Sequence, residues 1–277
     1  DSAAMADQQQ WFAGKPEENF GLALASDTEA YAGHLGKARE LTKRAVGSAL
    51  RADSKENGAM WQAIAAQREA AYGDAAEARL TATQALKLNP TSQGVGVESA
   101  LAFAIAGDTA RAESLAQDLG KRFPRDTQMQ SLWLPAIQAQ LALDRKNPAS
   151  AVTVLQAAAS SIELGGITFV NNISCLYPTY VRGEAYLSAG QGTAAAAEFQ
   201  KIIDHSGIVG NCWTGALARL GVARANALQA KNSQGADADL ARSRALAAYK
   251  DFLTLWKDAD PDIPILKEAK AEYAKLQ

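Results

Sequence analysis

The side chains of this chain that are best suited to chemistry are its two histidines and two cysteines. His34 and His205 are of the residue type that binds metal ions or acts as a general base. Neither has a second ligand residue four positions further along, and neither neighbours a Cys-x-x-Cys pair. Both lie where a turn is expected, so we predict that they lie at the surface or form hydrogen bonds within turns.

The motifs of the common catalytic sites are absent from the sequence. It contains no Gly-x-x-x-x-Gly-Lys-Ser/Thr phosphate loop, no His-Glu-x-x-His zinc helix and no His-Arg-Asp or Asp-Phe-Gly triplet of a protein kinase. Gly94 and Gly96 form a Gly-x-Gly pair, but they fall inside a predicted helix. The many carboxylates lie on two-sided helices, where solvated charge is the simplest interpretation. We therefore predict that this segment is not an enzyme and has no catalytic residue, metal site or cofactor.

The stretch from Gly183 to Phe199 indicates which elements organise the chain. Gly183 and Tyr186 lie three residues apart and would share one side of a helix. Ala195 and Phe199 lie four apart and would share one side of a second helix, with Gly190 at the turn between the helices. A single helix pair of this length cannot bury its own apolar side, so copies of the pair must stack.

Copies of this pair recur along the chain. Small residues occupy equivalent places, at intervals of 34 to 44 residues, at Ala38, Ala78, Ala112, Ala151 and Ala195. A period near 34 residues is typical of tetratricopeptide repeats. The sequence thus predicts an all-α fold, a right-handed superhelical solenoid of stacked antiparallel helix pairs. We expect one domain over 1–277, with an N-terminal helix in 1–14, about six pairs over 15–261 and a capping helix at 262–277.

The repeats resemble tetratricopeptide repeats over roughly residues 20–260, most specifically in the stretch from Gly183 to Phe199. Two blocks, Tyr180–Asn211 and Ala247–Gln277, are similar to the C-terminal repeat region of bacterial serine/threonine protein kinases of the acidobacterial type. That resemblance implies a parent protein with a kinase domain, a membrane segment and this array outside the cytoplasm. No catalytic residue is carried over, because the kinase triplets are missing. Without such a parent, a cytoplasmic location stays open.

Composition argues against two classes of interaction. Charged residues make up 21% of the chain and give a net charge of -2, whereas nucleic-acid binding needs a clustered basic surface. No apolar run is as long as the ~18 residues of a membrane helix, so we expect that this segment does not span a membrane. A chain that begins with Asp1 and lacks a signal-peptide pattern is expected to be processed or cut from a longer protein.

Two segments depart from the helical pattern. Residues 162–176 contain two glycines followed by the β-branched and aromatic run 167–170, which predicts an ordered excursion between repeats. Residues 231–239 are polar and contain Gly235, so we predict a solvated loop within the last pair.

Cys175 and Cys212 each precede a helix pair. Equivalent connections lie side by side in a stacked array, so the two sulfur atoms could come within bridging distance. The oxidising compartment that the kinase resemblance implies would preserve such a disulfide. The alternative is that both cysteines are small buried apolar residues.

The concave surface built by the first helix of each pair is where we expect a ligand, because stacking leaves that surface free. Extrapolation of the repeat register places eight residues on or near it. They are Gln67, Leu101, Trp133, Gln140, Tyr177, Tyr180, Glu184 and Asn226. The alternative for the aromatic residues among them is a place in the core between repeats.

Two classes of function follow from the sequence. The first is a scaffold that binds an extended or helical polypeptide, as the sensor or partner-binding region of a kinase or attached to a DNA-binding or envelope-assembly domain. The second is a small-molecule receptor or enzyme with a closed pocket near residues 162–180, close to Phe169 and Tyr177. The sequence leaves the identity of the partner and the oligomeric state open.

Overall fold

The computed structural model describes residues 7, 8, 10–158 and 175–277, and every regular element in these ranges is helical. The all-α prediction is confirmed for them. A short π-helical segment, Met129–Trp133, leads into the seventh helix. The helices are α1 (Glu18–Tyr31), α2 (Leu35–Arg51), α3 (Lys55–Tyr72), α4 (Ala75–Leu88), α5 (Gln93–Ile105), α6 (Thr109–Arg122), α7 (Leu134–Asp144), α8 (Pro148–Ala158), α9 (Tyr177–Ser188), α10 (Gly192–Asp204), α11 (Ser206–Val209), α12 (Trp213–Asn232), α13 (Gly235–Leu255) and α14 (Pro264–Leu276).

The helices contact each other in two layers. Consecutive helices form pairs, α1 with α2, α3 with α4, α5 with α6, α7 with α8, α9 with α10 and α12 with α13, and the first helix of each pair contacts the first helix of the next. The first helices α3, α5 and α12 are buried on most sides. The second helices α4, α6 and α10 each bury only a narrow stripe. The first helices therefore form an inner layer and the second helices an outer layer.

The same turn ends the first helix in five of the pairs. Gly33, Gly73, Gly107 and Gly190 have φ between 72° and 99°, and Lys146 takes the same place with φ of 57°. In each turn this residue's amide donates to the carbonyl three residues back, and the next amide donates to the carbonyl five residues back from itself. This pattern satisfies the last carbonyls of a helix, and glycine adopts the required left-handed conformation without strain from a Cβ atom.

The repeat alanines have equivalent surroundings. Ala38, Ala78, Ala112, Ala151 and Ala195 are each the fourth residue of a second helix, and each is fully buried. Where the neighbours are small, an alanine packs between the first helix of its own pair and that of the next pair, as in the clusters Ala70–Ala78–Ala106 and Ala139–Ala151–Ala185. Small side chains at this position let the backbones approach closely.

The C-terminal helices return to the first pair. The Asp260 amide donates to the Gly33 carbonyl at 3.0 Å, and the Gly36 amide donates to Asp260 Oδ2 at 2.7 Å across 224 positions of sequence. Trp256 Nε1 donates to the Tyr31 carbonyl at 3.0 Å. Further contacts join α1 to α12 and α3 to α14. The C-terminal helices therefore pack against the first two helix pairs.

The predicted solvated loop at residues 231–239 is wrong, because α12 continues to Asn232 and α13 begins at Gly235. The polar residues of this segment are exposed, but they lie on the outer ends of two long helices. Polar residues indicate exposure to solvent. The outer ends of helices are exposed just as loops are, so polarity alone does not distinguish the two. Residues 162–174 of the predicted excursion, Phe169 among them, lie outside the described residues, as do residues 1–6 and 9 of the predicted N-terminal helix.

The contact between the C-terminal segment and the first turn generates a test with a matched control. A Cβ atom at Gly33 would lie 2.4 Å from Ala259 Cβ and 3.0 Å from the Trp256 ring, whereas a Cβ atom at Gly190 meets nothing within 4 Å. Both glycines occupy the same turn with a similar φ. Gly33→Ala should therefore lower the free energy of unfolding by about 2 kcal/mol more than Gly190→Ala in denaturant titrations. Equal losses would show that the contact does not stabilise the fold.

Candidate functional site

Five of the eight predicted contact residues are buried in the inner layer. Gln67, Leu101, Trp133, Tyr177 and Asn226 each expose less than a tenth of their surface. Their expected place on an open concave surface is thus corrected. Because the last helices contact the first pair, the inner helices face one another, and their side chains fill the interior.

An aromatic cluster accounts for part of this filling. The Tyr177 ring stacks on the Trp213 ring with centroids 5.8 Å apart and lies 5.7 Å from the Trp133 ring. Tyr180 makes edge contacts with Trp213 at 4.9 Å and with Phe199 at 5.5 Å. The alternative interpretation of these aromatic residues, a core between repeats, therefore applies to Trp133 and Tyr177.

The other three predicted residues, Gln140, Tyr180 and Glu184, line a cavity of about 300 Å³ that lies among the inner helices and is partly open to solvent, where the exposed Ser188 lines it. Its walls come from the inner helices α3, α5, α7, α9 and α12 and from the C-terminal helix α14. The apolar part of the wall consists of Ala70, Ala71, Ile105, Leu143, Val181 and Ile265. The cavity thus combines small apolar side chains with a few polar groups, as small-ligand sites commonly do.

Two carboxylates line this cavity. Gln140 Nε2 donates to Asp144 Oδ1 at 3.2 Å, and the buried Oδ2 atom has no hydrogen-bond partner in the described part of the chain. Burial raises the pKa of Asp144 and also that of Glu184. The Glu184 carboxylate is hydrogen-bonded to Tyr180, whose own pKa burial raises well above its usual value. Tyr180 therefore stays protonated and donates.

The cation in the cavity wall is already paired. Arg224 Nε and Nη2 donate to the two oxygens of Glu272 at 3.0 Å, and Nη2 also donates to Glu268 at 3.2 Å. Arg224 also attracts Glu184 through space, which partly opposes the effect of burial on the Glu184 pKa. Asp144 and Arg224 are not among the residues predicted from the sequence. A signal for Asp144 is its place as the last residue of α7, four residues after Gln140.

A second buried carboxyl group lies between α3 and α5. Gln67 Nε2 donates to the backbone carbonyl of Glu98 at 3.2 Å and also to its carboxyl group. Burial raises the pKa of Glu98 to about 8, so this group is largely protonated at neutral pH. Glu98 is the only charged residue in α5, an otherwise small and apolar helix, and that contrast was the available signal in the sequence.

A disulfide joins the beginnings of two helices that wall the cavity. The sulfur atoms of Cys175 and Cys212 are 2.00 Å apart, with Cα atoms 5.5 Å apart. Thr214 Oγ1 also donates to the Cys175 carbonyl at 2.7 Å. The bond holds the start of α9, which carries Tyr180 and the other α9 wall residues, against the start of α12.

The two histidines take part in turns, as predicted. His34 Nδ1 lies 2.7 Å from Glu29 Oε2, and His205 Nδ1 lies 2.8 Å from the Lys201 carbonyl oxygen. Among residues 10–158 and 175–277, no three side chains of metal-ligand type are grouped. No helix in those ranges is both long and apolar enough to span a bilayer.

No family model matches the chain, and no curated protein is significantly similar to it. The candidate site is therefore defined by its geometry and chemistry. Its distinguishing feature is the cavity, in which Asp144 and Glu184 lie among apolar wall residues.

The disulfide should contribute measurably to stability. We expect the double substitution Cys175→Ser and Cys212→Ser to lower the free energy of unfolding by about 3 kcal/mol, because the bond restricts the unfolded chain. Urea titrations under non-reducing conditions measure the difference. Adding a reductant to the wild-type protein should lower its midpoint in the same direction and leave the double variant unchanged. A wild-type midpoint that does not respond to reductant would contradict the prediction.

Glu98 should make stability fall as pH rises. Its pKa is 4.5 in an ordinary environment and about 8 in the folded chain, so folding takes up a proton between these values. The free energy of unfolding therefore decreases as pH rises through that window. Glu98→Gln should remove this dependence and stabilise the protein at about pH 8 by a few kcal/mol, on the order of 3. Urea titrations across the window test this, with the exposed Glu40→Gln on α2 as control. An unchanged slope in Glu98→Gln would contradict the prediction.

Proposed function

We propose that the chain is a non-catalytic binding module, a tetratricopeptide-like solenoid whose ligand site is the internal cavity. The observation that carries this proposal is the cavity of about 300 Å³, lined by Asp144, Glu184 and Arg224 within apolar walls. The cavity lies among the inner helices and α14. A cavity of this size fits a small molecule.

The solenoid part of the proposal is supported by three repeated features. The same glycine turn recurs, the fourth residue of the second helix is a buried alanine in five pairs, and each first helix contacts the next. These are the contacts that stacked helix pairs need to bury their apolar sides. The right-handed superhelical path stays a prediction.

The size and the polar lining of the cavity favour a small ligand. Its volume is at the lower end of the range for ligand sites and corresponds to about ten water-sized groups. Carboxyl groups whose pKa values burial has raised, as in Asp144 and Glu184, are more common at functional sites than elsewhere. A cavity that served only packing would gain nothing from burying two carboxylates.

A polypeptide ligand was expected on the basis of Trp133, Tyr177 and the other inner residues. Since these two side chains are core, a polypeptide would have to bind another surface. The sensor role in a membrane-anchored kinase, and attachment to any other domain, stay predictions from the resemblance. A module that binds a small molecule would suit such a sensor.

Filling the cavity tests the proposed function. Ala71 lines the cavity on α3, whereas Ala76 is exposed on α4 and outside the wall. A panel of small metabolites is screened by thermal unfolding, where a ligand at 100 times its Kd stabilises by about 2.7 kcal/mol. We expect a stabilising ligand to act on the wild type and on Ala76→Phe but to lose its effect on Ala71→Phe, with circular dichroism confirming that both variants fold. Stabilisation that persists in Ala71→Phe would place the ligand elsewhere, and a panel without any stabilising ligand would count against the proposal.

A further inference from the structure

The charges around the internal cavity differ in how well they are paired. Arg224, the cation of the wall, makes three hydrogen bonds to Glu272 and Glu268 of α14. Tyr249 donates a further hydrogen bond to Glu272 at 2.9 Å. The positive charge of Arg224 is thus offset by carboxylates that do not line the cavity.

No ion pair joins either carboxylate of the wall to a cation among the described residues, although Arg224 attracts Glu184 through space. Arg145 attracts Asp144 through space, but its guanidinium forms an ion pair with Glu113 on α6. Asp144 receives one amide hydrogen bond, on Oδ1, and its buried Oδ2 has no partner among the described residues. The hydrogen bond to Glu184 comes from Tyr180, a neutral group.

Burial of these two carboxylates carries a desolvation cost. A carboxylate removed from water loses hydration that a single neutral donor does not replace, and an opposite charge in contact restores much of the loss. Elsewhere in the same fold, Asp27 has such a partner, because Arg68 Nη1 donates to it at 3.0 Å. Asp144 and Glu184 lack the equivalent of Arg68.

We propose that the cavity binds a small organic cation, an ammonium group with an apolar body, through Asp144 and Glu184. This inference rests on the proposed function. The ammonium would contact the two carboxylates, and the apolar body would lie against the wall formed by Ala71, Ile105 and Val181. Tyr180 and Trp213, which also line the cavity, offer ring surfaces that attract a cation.

The wall chemistry favours an organic cation over a metal ion. Calcium and magnesium require about six or more oxygen ligands around one point, whereas about half of this wall is apolar. In the described ranges no three metal-ligand side chains come together. An ammonium needs only a few acceptors and gains from the apolar wall through its body.

The test compares two probes that differ in one group. Phenethylamine carries an ammonium group, and phenethyl alcohol is its uncharged counterpart of nearly equal size. Isothermal titration at neutral pH should show that the amine binds at least about 10-fold more tightly than the alcohol, because only the amine pairs with the carboxylates. Ala71→Phe should abolish binding of both probes.

Asp144 has a matched control elsewhere in the fold. Asp144 ends α7 and accepts a hydrogen bond from Gln140 four residues earlier, and Asp204 ends α10 and accepts one from Gln200 at 2.8 Å. Asp204 is exposed and outside the cavity. Asp144→Asn should weaken amine binding about 10-fold and leave alcohol binding unchanged. Asp204→Asn should change neither. Glu184→Gln gives a second variant with the same expected result as Asp144→Asn.

The outcomes separate the two proposals. Equal affinity for amine and alcohol, with both lost in Ala71→Phe, would overturn the cation inference and leave the cavity as a ligand site. Amine binding that Asp144→Asn and Glu184→Gln do not weaken would overturn it too, as would calcium chloride binding that these variants abolish. Failure of both probes to bind at millimolar concentration would also overturn the cation inference. The metabolite screen tests separately whether the cavity is a ligand site.

Discussion

The return of the C-terminal segment to the first helix pair is the constraint on which the rest of this structure depends. Asp260 and Trp256 bond to the first turn, at Gly33, Gly36 and Tyr31. These contacts bring the inner helices around a common centre and convert a surface that would be wet into an interior.

Close approach of the helices makes this interior possible. Phe199 is fully buried between two glycines, Gly183 on α9 and Gly221 on α12, and a Cβ atom at either glycine would lie under 3.0 Å from its ring. The alanines at the fourth position of the outer helices have the same effect in other pairs. Such contacts leave little free volume between neighbouring helices.

Burial has different effects on the charged groups of this interior. Arg68 is 2% exposed and donates to Asp27, Ser26 and Thr42, so its charge has partners, although burial still raises the pKa of Asp27 to about 6. Glu98 forms no ion pair with a cation among the described residues, and burial raises its pKa to about 8, which favours the protonated form at neutral pH. Asp144 lines open space instead, where a ligand can supply the missing charge. Loss of water is therefore the common physical cause at these three sites. It leads to an ion pair at Arg68, to a pH-dependent charge at Glu98 and to a proposed ligand contact at Asp144.

By itself the sequence determined the local features of this protein. Gly190 forms the predicted turn between two helices, and Ala78 and Ala112 lie at the same position of their helices as predicted, because helix hydrogen bonds and left-handed turns depend on residues near in sequence. The tertiary structure decided which side of the inner helices meets solvent. Trp133 and Tyr177 suit a binding surface and a core equally well, and a contact across 224 positions, such as that of Gly36 with Asp260, leaves no periodic trace in the residues between. Burial depends on which distant segments of the chain meet, so only the tertiary structure determines which of these side chains are buried.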